Sequence, residues 1–129
     1  MSIKYLALLD RLGLPKNKCL LFGSAVMAAR GLGSNRDLDI AVPLSVFTTL
    51  AKHPKLKKSY ANISGTISYV TTDGKVEIFP SAWPLKENVA VLLQRADNIG
   101  GYKVMHLTDF KRWKKAMGRP KDIQDLKLL

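Results

Sequence analysis

The sequence predicts an α+β domain, a small mixed or antiparallel sheet flanked by helices, and three observations carry that prediction. Short apolar and β-branched runs such as "KCLLF", "DLDIAV" and "KVEIF" have the length and composition of strands. Around them apolar residues recur at helical spacing, as Ile3, Leu6, Leu9 and Leu12 do. The two signals interleave along 129 residues with no internal repeat, linker or low-complexity tract, so one domain over residues 1–129 is expected.

Taken in order, the chain opens with a helix capped by Ser2 and ended by "GLP" at residues 13–15. "KCLLF" reads as a buried strand, and "SAVMAARGLG" as a helix that starts at Ser24 and stops at Gly31 or Gly33. "DLDIAV" is the second strand. Pro43 closes it before a helix over roughly residues 44–52, and the basic run "KHPKLKK" reads as a loop. "SYANIS" and "GTISYV" are β-rich, and the Asp73-Gly74 turn predicts an antiparallel pair over residues 65–79. Val89, Leu92, Leu93 and Ala96 place a helix between Trp83 and Gly101, followed by a brief strand in "YKVMHL". Thr108 is then an N-cap for a helix running to Met117. Gly118 ends that helix, and Pro120 opens the last one.

Composition narrows the function. A net charge of +11 favours polyanionic partners, because Lys and Arg that replace phosphate counterions release them to solvent. The single cysteine, Cys19, lies inside an apolar run, so there is no disulfide framework and a reducing, cytoplasmic setting fits. The longest apolar stretch is too short for a membrane span, and the N-terminus lacks a signal-peptide cleavage pattern.

The chemistry concentrates in "GSNRDLDIAV", residues 33–42. Side chains alternate along a strand, so Asp37 and Asp39 share one face while Leu38, Ile40 and Val42 share the other. In "KVEIF" the same alternation sets Glu77 opposite Val76 and Ile78. If the two strands are neighbours, three carboxylates converge, and like charges that close raise one another's pKa unless a cation stands among them. Oxygen-only ligands with open positions suit Mg²⁺ or Mn²⁺. Thirteen residues before Asp37, Gly23 and Ser24 join a strand to a helix, where a glycine admits a ligand close to the backbone and free N–H groups can cradle an anion. Phosphates beside metal-binding acids make a nucleotide site.

"LFGSAVMAARGLGSNRDLDIAV" together with "VEIF" resembles the signature of the nucleotidyltransferase superfamily, the polymerase-beta-like fold. The tail "LTDFKRWKKAMGRPKDIQDLKLL" is similar to the end of a bacterial branch that includes minimal abortive-infection toxins paired with antitoxins. The resemblance implies that Gly23 and Ser24 hold the triphosphate of an NTP, that Asp37 and Asp39 bind two Mg²⁺ or Mn²⁺ ions, and that Glu77 completes the site. It adds Lys114, Arg119 and Lys121 as phosphate-neutralising cations, with Asp122 orienting one of them and Arg36 in the nucleotide-binding set. Glu77 stands where many members carry Asp, which lengthens the reach. The activity implied is transfer of a nucleoside monophosphate to an acceptor hydroxyl with release of pyrophosphate. RNA, above all a tRNA end, is the first-choice acceptor on charge, and an antitoxin-like protein is an implied partner.

Two other readings compete. "DLDIAV" echoes the Asp-x-Asp strand end of haloacid-type phosphatases, although no downstream acidic pair accompanies it, and the charge alone would suit a non-catalytic nucleic-acid binder with a vestigial pocket. Trp83 and Trp113 either stack a base or pack the core. His53 and His106 are too far apart in sequence to suggest a metal pair.

Overall fold

The alternation over residues 37–42 folds as its pattern requires: Leu38, Ile40 and Val42 are fully buried, and Asp39 between them is half-buried on the other face. The structure, a computed structural model, describes residues 3–61 and 65–129. Its strands are β1 (Leu20–Phe22), β2 (Leu38–Ala41), β3 (Leu56–Ala61), β4 (Thr66–Thr71), β5 (Val76–Phe79), β6 (Asp97–Ile99) and β7 (Tyr102–Val104). They form one mixed sheet in the order β3-β4-β5-β2-β1-β7-β6. The β2–β5 and β1–β7 pairs are parallel and the other four pairs are antiparallel. The helices are α1 (Leu6–Arg11), α2 (Ser24–Ala29), α3 (Leu44–Phe47), α4 (Val89–Arg95), α5 (Leu107–Met117) and α6 (Pro120–Lys127). The chain is therefore α+β, as its patterning predicts, and among the described residues no helix is long and apolar enough to cross a membrane.

Helices take both faces of the sheet. Phe47 of α3 meets Tyr69 of β4 at 5.2 Å between ring centroids, on the face that Ile78 and Ile40 share. On the opposite face Trp113 of α5 meets Phe22 edge-on at 5.7 Å. One contiguous apolar cluster, including Leu20, Ile40, Ile78, Leu92, Met105 and Phe110, unites these layers.

Local chemistry moves several boundaries from those expected. The opening helix starts only at Leu6, because Tyr5 ahead of it is left-handed (φ 73°) and Asn35 pins Lys4: its Oδ1 accepts from Lys4 N–H at 2.9 Å and its Nδ2 donates to Lys4 O at 3.1 Å. Ser2 lies outside the described residues. The helix expected over residues 44–52 breaks after Phe47 into a 3₁₀ turn, Leu50–Lys52. Thr48 and Thr49 sit at the break and bond their hydroxyls back to Ser45 O and Val46 O, the competition that disfavours threonine inside helices.

The basic run is not all loop. Leu56, Lys57 and Lys58 begin β3, recruited by pairing with Thr71, Val70 and Tyr69 of β4. The end of "SYANIS" falls outside the described residues. The helix sought between Trp83 and Gly101 is confined to α4, since Asp97–Ile99 pairs with Tyr102–Val104 across a Gly100-Gly101 turn whose positive φ values, 59° and 85°, suit a tight hairpin. His106, not Thr108, occupies the N-cap of α5. The Asp73-Gly74 hairpin forms as expected, with Asp73 Oδ1 accepting from Lys75 N–H at 3.0 Å.

Asn35 is 1% exposed and also donates to Asp37 O at 3.0 Å, so it ties the first residues to the strand that carries the acids. Asn35→Ala is expected to lower the unfolding free energy by about 2 kcal/mol in urea titration with an unchanged m-value, since buried backbone groups lose their partner.

Candidate active site

Register brings the acids together. Phe22 of β1 pairs with Asp39 of β2, and Asp39 pairs in turn with Glu77 of β5. Registered residues of adjacent strands share a face, so Asp39 and Glu77 stand side by side about 5 Å apart along the sheet. Asp37 precedes β2 by one residue, is exposed, and lines the same cleft. All three sequence-predicted carboxylates thus line one cleft. Asp37 also stands ahead of the strand, not at its far end, which disfavours the phosphatase reading.

Gly23 closes on these acids from β1. It has φ +68°, and a Cβ there would lie 2.9 Å from Asp39 Oδ2, so both the conformation and the approach require glycine. Ser24 follows as the first residue of α2, half-buried and lining the cleft. The cleft has a volume of about 580 Å³ and is open to solvent at its mouth. The carboxylates occupy its sheet floor. Phe22, Phe79, Trp83 and Trp113 give it an apolar side, and Arg36, Arg119 and Lys121 bring positive charge.

Electrostatics mark Asp39 as the strained member. Burial, then the nearby charges of Asp37 and Glu77, raise its pKa from 3.8 to about 7, although Arg119 and Lys121 oppose the rise. Glu77 accepts a hydrogen bond from the Ser68 hydroxyl at 2.6 Å, which fixes its carboxylate on the cleft face.

The basic residues of the tail are held by a buried clasp. Asp122 is fully buried; its Oδ1 accepts from Lys114 Nζ at 2.8 Å, and its Oδ2 accepts from Arg119 Nε at 2.6 Å and from the Arg119 backbone N–H at 3.1 Å. Burial alone would raise the Asp122 pKa, but the bonds from Arg119 and Lys114 outweigh it and hold the carboxyl at about 2. Asp125 Oδ2 takes a second Lys114 proton at 2.7 Å. The Lys114 charge is thereby engaged internally and braces the α5–α6 corner. Arg119 keeps 45% of its side chain exposed and lies 5.8 Å from the Trp113 ring, so it and the exposed Lys121 are the cations that meet the opening.

No model of a known protein family, no curated protein and no solved structure matches this chain.

Sequence reading missed part of this site. Asp125 lies one helical turn after Asp122, a spacing that would have predicted a shared partner. Ser68 could have been found by extending the hairpin register back from Asp73-Gly74. Ser59, Tyr60 and Thr66 form a cleft wall on β3 and β4 that carried no motif. Trp113 is a core residue that also lines the cleft, with Nε1 donating to Trp83 O at 2.9 Å. His53 is structural: its ring nitrogens meet Leu12 O at 2.8 Å and Lys55 N–H at 3.1 Å.

All three acids offer oxygen donors, and their crowding at Asp39 leaves negative charge that a divalent cation would relieve, so the donor set fits Mg²⁺ or Mn²⁺. Among the described residues, side chains are not already drawn into a three-ligand cage. The expected ligands are adjacent but not gathered.

Folded Asp39 keeps its proton to about pH 7, whereas the unfolded group loses it near 3.8, so between these values the folded state binds more protons and stability falls as pH rises. Asp39→Asn should therefore stabilise the protein by roughly 2 kcal/mol at pH 8, about half the full linkage value because the group meets solvent, with the gain vanishing below about pH 4. Chemical denaturation at the two pH values measures it. Asp122→Asn should instead destabilise by about 1.5–3 kcal/mol, because Lys114 and Arg119 lose the charged partner they share while Asp125 still holds Lys114; thermal unfolding beside Lys121→Ala, expected to shift little, separates clasp from surface.

Proposed function

We propose that the chain is a metal-dependent nucleotidyltransferase that moves a nucleoside monophosphate from an NTP to an acceptor hydroxyl and releases pyrophosphate. The observation that carries this reading is the adjacency of Asp39 and Glu77 in parallel register, with Asp37 beside them and Gly23 against Asp39. Paired carboxylates of that kind serve phosphoryl chemistry when divalent ions bind between them.

The chain's own residues divide the work. Gly23 leaves room for a phosphate oxygen beside the acids, and the Ser24 hydroxyl offers it a donor. Arg119 and Lys121, with Arg36 at the mouth, offset the charge of the triphosphate and of the departing pyrophosphate. Asp122 and Lys114 position Arg119. Asp37, Asp39 and Glu77 would hold two Mg²⁺ or Mn²⁺ ions, whose contribution when bound is to lower the pKa of the attacking hydroxyl and to neutralise the phosphates. Phe22, Phe79, Trp83 and Trp113 exclude water from one side, and Trp83, 41% exposed, offers a ring face to a base. In-line attack on the α-phosphorus forms the new P–O bond as the bond to pyrophosphate breaks.

RNA is the preferred acceptor on the +11 charge, and an antitoxin-like protein partner is consistent with the resemblance of the tail. A reducing, cytoplasmic setting suits Cys19, whose burial pushes its thiol up to about 12 and leaves it inert. The second reading, a nucleic-acid binder without chemistry, rests on the same charge and on the three acids not being drawn into a cage.

Incubation with labelled NTPs, Mg²⁺ or Mn²⁺ and total cellular RNA, protein and small molecules is expected to label an RNA fraction. Asp39→Asn and Glu77→Gln should each reduce incorporation at least about a hundredfold, the scale of losing a group that acts in the transition state. No incorporation by the unaltered protein with any NTP would support the binder, and label confined to protein or small molecules would change the acceptor.

A further inference from the structure

We infer that the β3 edge of the sheet is the acceptor-side binding track, and that it takes the sugar-phosphate backbone of a single-stranded polynucleotide leading toward the acids. The inference rests on the transferase reading for its direction, but not for the binding itself. Register sets the geometry: Asp39 pairs with Glu77, Glu77 with Val70, and Val70 with Lys57. All four side chains therefore share one face in one row, which places Lys57 two strands beyond Glu77, roughly 10 Å along the sheet.

Lys57 is exposed, and Ser59, two residues on and on the same face, lines the cleft together with Thr66 of β4, which shares that face and pairs with Ala61. The cleft therefore reaches the strand that carries the lysine, two residues along from it. This wall lies on the Glu77 side of the acids, whereas Arg119, a cation suited to the triphosphate, sits by Trp113, which packs on Phe22 of β1 on the Asp39 side. In-line transfer needs the acceptor to arrive opposite the leaving pyrophosphate, and the β3 wall supplies that side.

A polynucleotide suits this wall better than an acidic protein segment, because the Ser59 and Thr66 hydroxyls that line it match phosphate and sugar oxygens. Tyr60 is 65% exposed, but it alternates onto the face of Lys58 and pairs with Ile67. Lysine on an outer strand also discourages pairing with another strand, so a peptide added edge to edge is disfavoured. Lys58 is equally exposed but points to the opposite face, in register with Tyr69. It is a control of identical charge, one residue away.

The test uses the full chain carrying Asp39→Asn, so that no transfer occurs, and a fluorescein-labelled single-stranded RNA of about 16 nucleotides, an upper site size for one small domain. Fluorescence anisotropy is followed across a salt series without NTP. Lys57→Ala is expected to weaken binding about fivefold and to reduce the slope of log K against log salt by about 0.7, one phosphate contact on a single strand. Lys58→Ala and Tyr60→Ala, both on the opposite face, should each stay within about twofold with the slope unchanged. Equal effects of the two lysine changes would overturn the track and leave only bulk charge. No RNA binding, or displacement of the RNA by polyglutamate at equal charge concentration, would overturn the polynucleotide. Because the readout is binding by an inactive variant, failure of the transferase reading leaves this result standing, and the reverse also holds.

Discussion

The parallel register of β2 and β5 is the constraint on which the site depends. It fixes Asp39 beside Glu77 on one face while Leu38, Ile40, Val76 and Ile78 fill the core on the other. A one-residue slip would bury both acids in the apolar layer, so the hydrophobic effect that stabilises the sheet also enforces the carboxylate pairing. The cost appears locally, as like charges packed near a half-buried Asp39 whose pKa rises to about 7. Strain of this sort, held in place by an over-determined core, is typical of functional positions.

The α5–α6 corner supplies the opposing charge. Trp113 stacks on Phe110 and meets Phe22 edge-on, which seats the corner against the strand that ends in Gly23. Asp122 then holds Lys114 and Arg119 at once, and Asp125 completes the coordination of Lys114. Such a buried ionic cluster adds little net stability over apolar packing, but it fixes the direction of a cation in a way apolar packing would not. Arg119 and Lys121 consequently face Asp39, and both lower its pKa against the push of its neighbours.

The legible part of the molecule was the part written in short-range patterns. Alternation placed Asp39 against Leu38 and Ile40, the Asp73-Gly74 turn set the β4–β5 hairpin, and Gly23-Ser24 marked a strand-to-helix junction. What pattern could not supply was strand order: nothing local states that β5 lies beside β2, and that adjacency decides whether the acids converge. The basic run hid β3 because lysines on an outer strand read as loop. The Gly100-Gly101 turn hid β6 behind an apolar spacing that is helical only to Arg95. Ser68 and Asp125 carried fainter signals, a hairpin register and a one-turn spacing, whose partners lie nine and eleven residues away.

The central claim is that Asp37, Asp39 and Glu77 bind a divalent cation beside Gly23. Paramagnetic broadening of backbone amide signals by substoichiometric Mn²⁺ tests it most directly, since broadening reports distance from the ion without requiring turnover. The account predicts that the amides of Gly23, Ser24, Asp39 and Glu77 broaden first and recover when Mg²⁺ is added in excess. Broadening centred elsewhere, or none at these four positions with a non-hydrolysable NTP present, would contradict it.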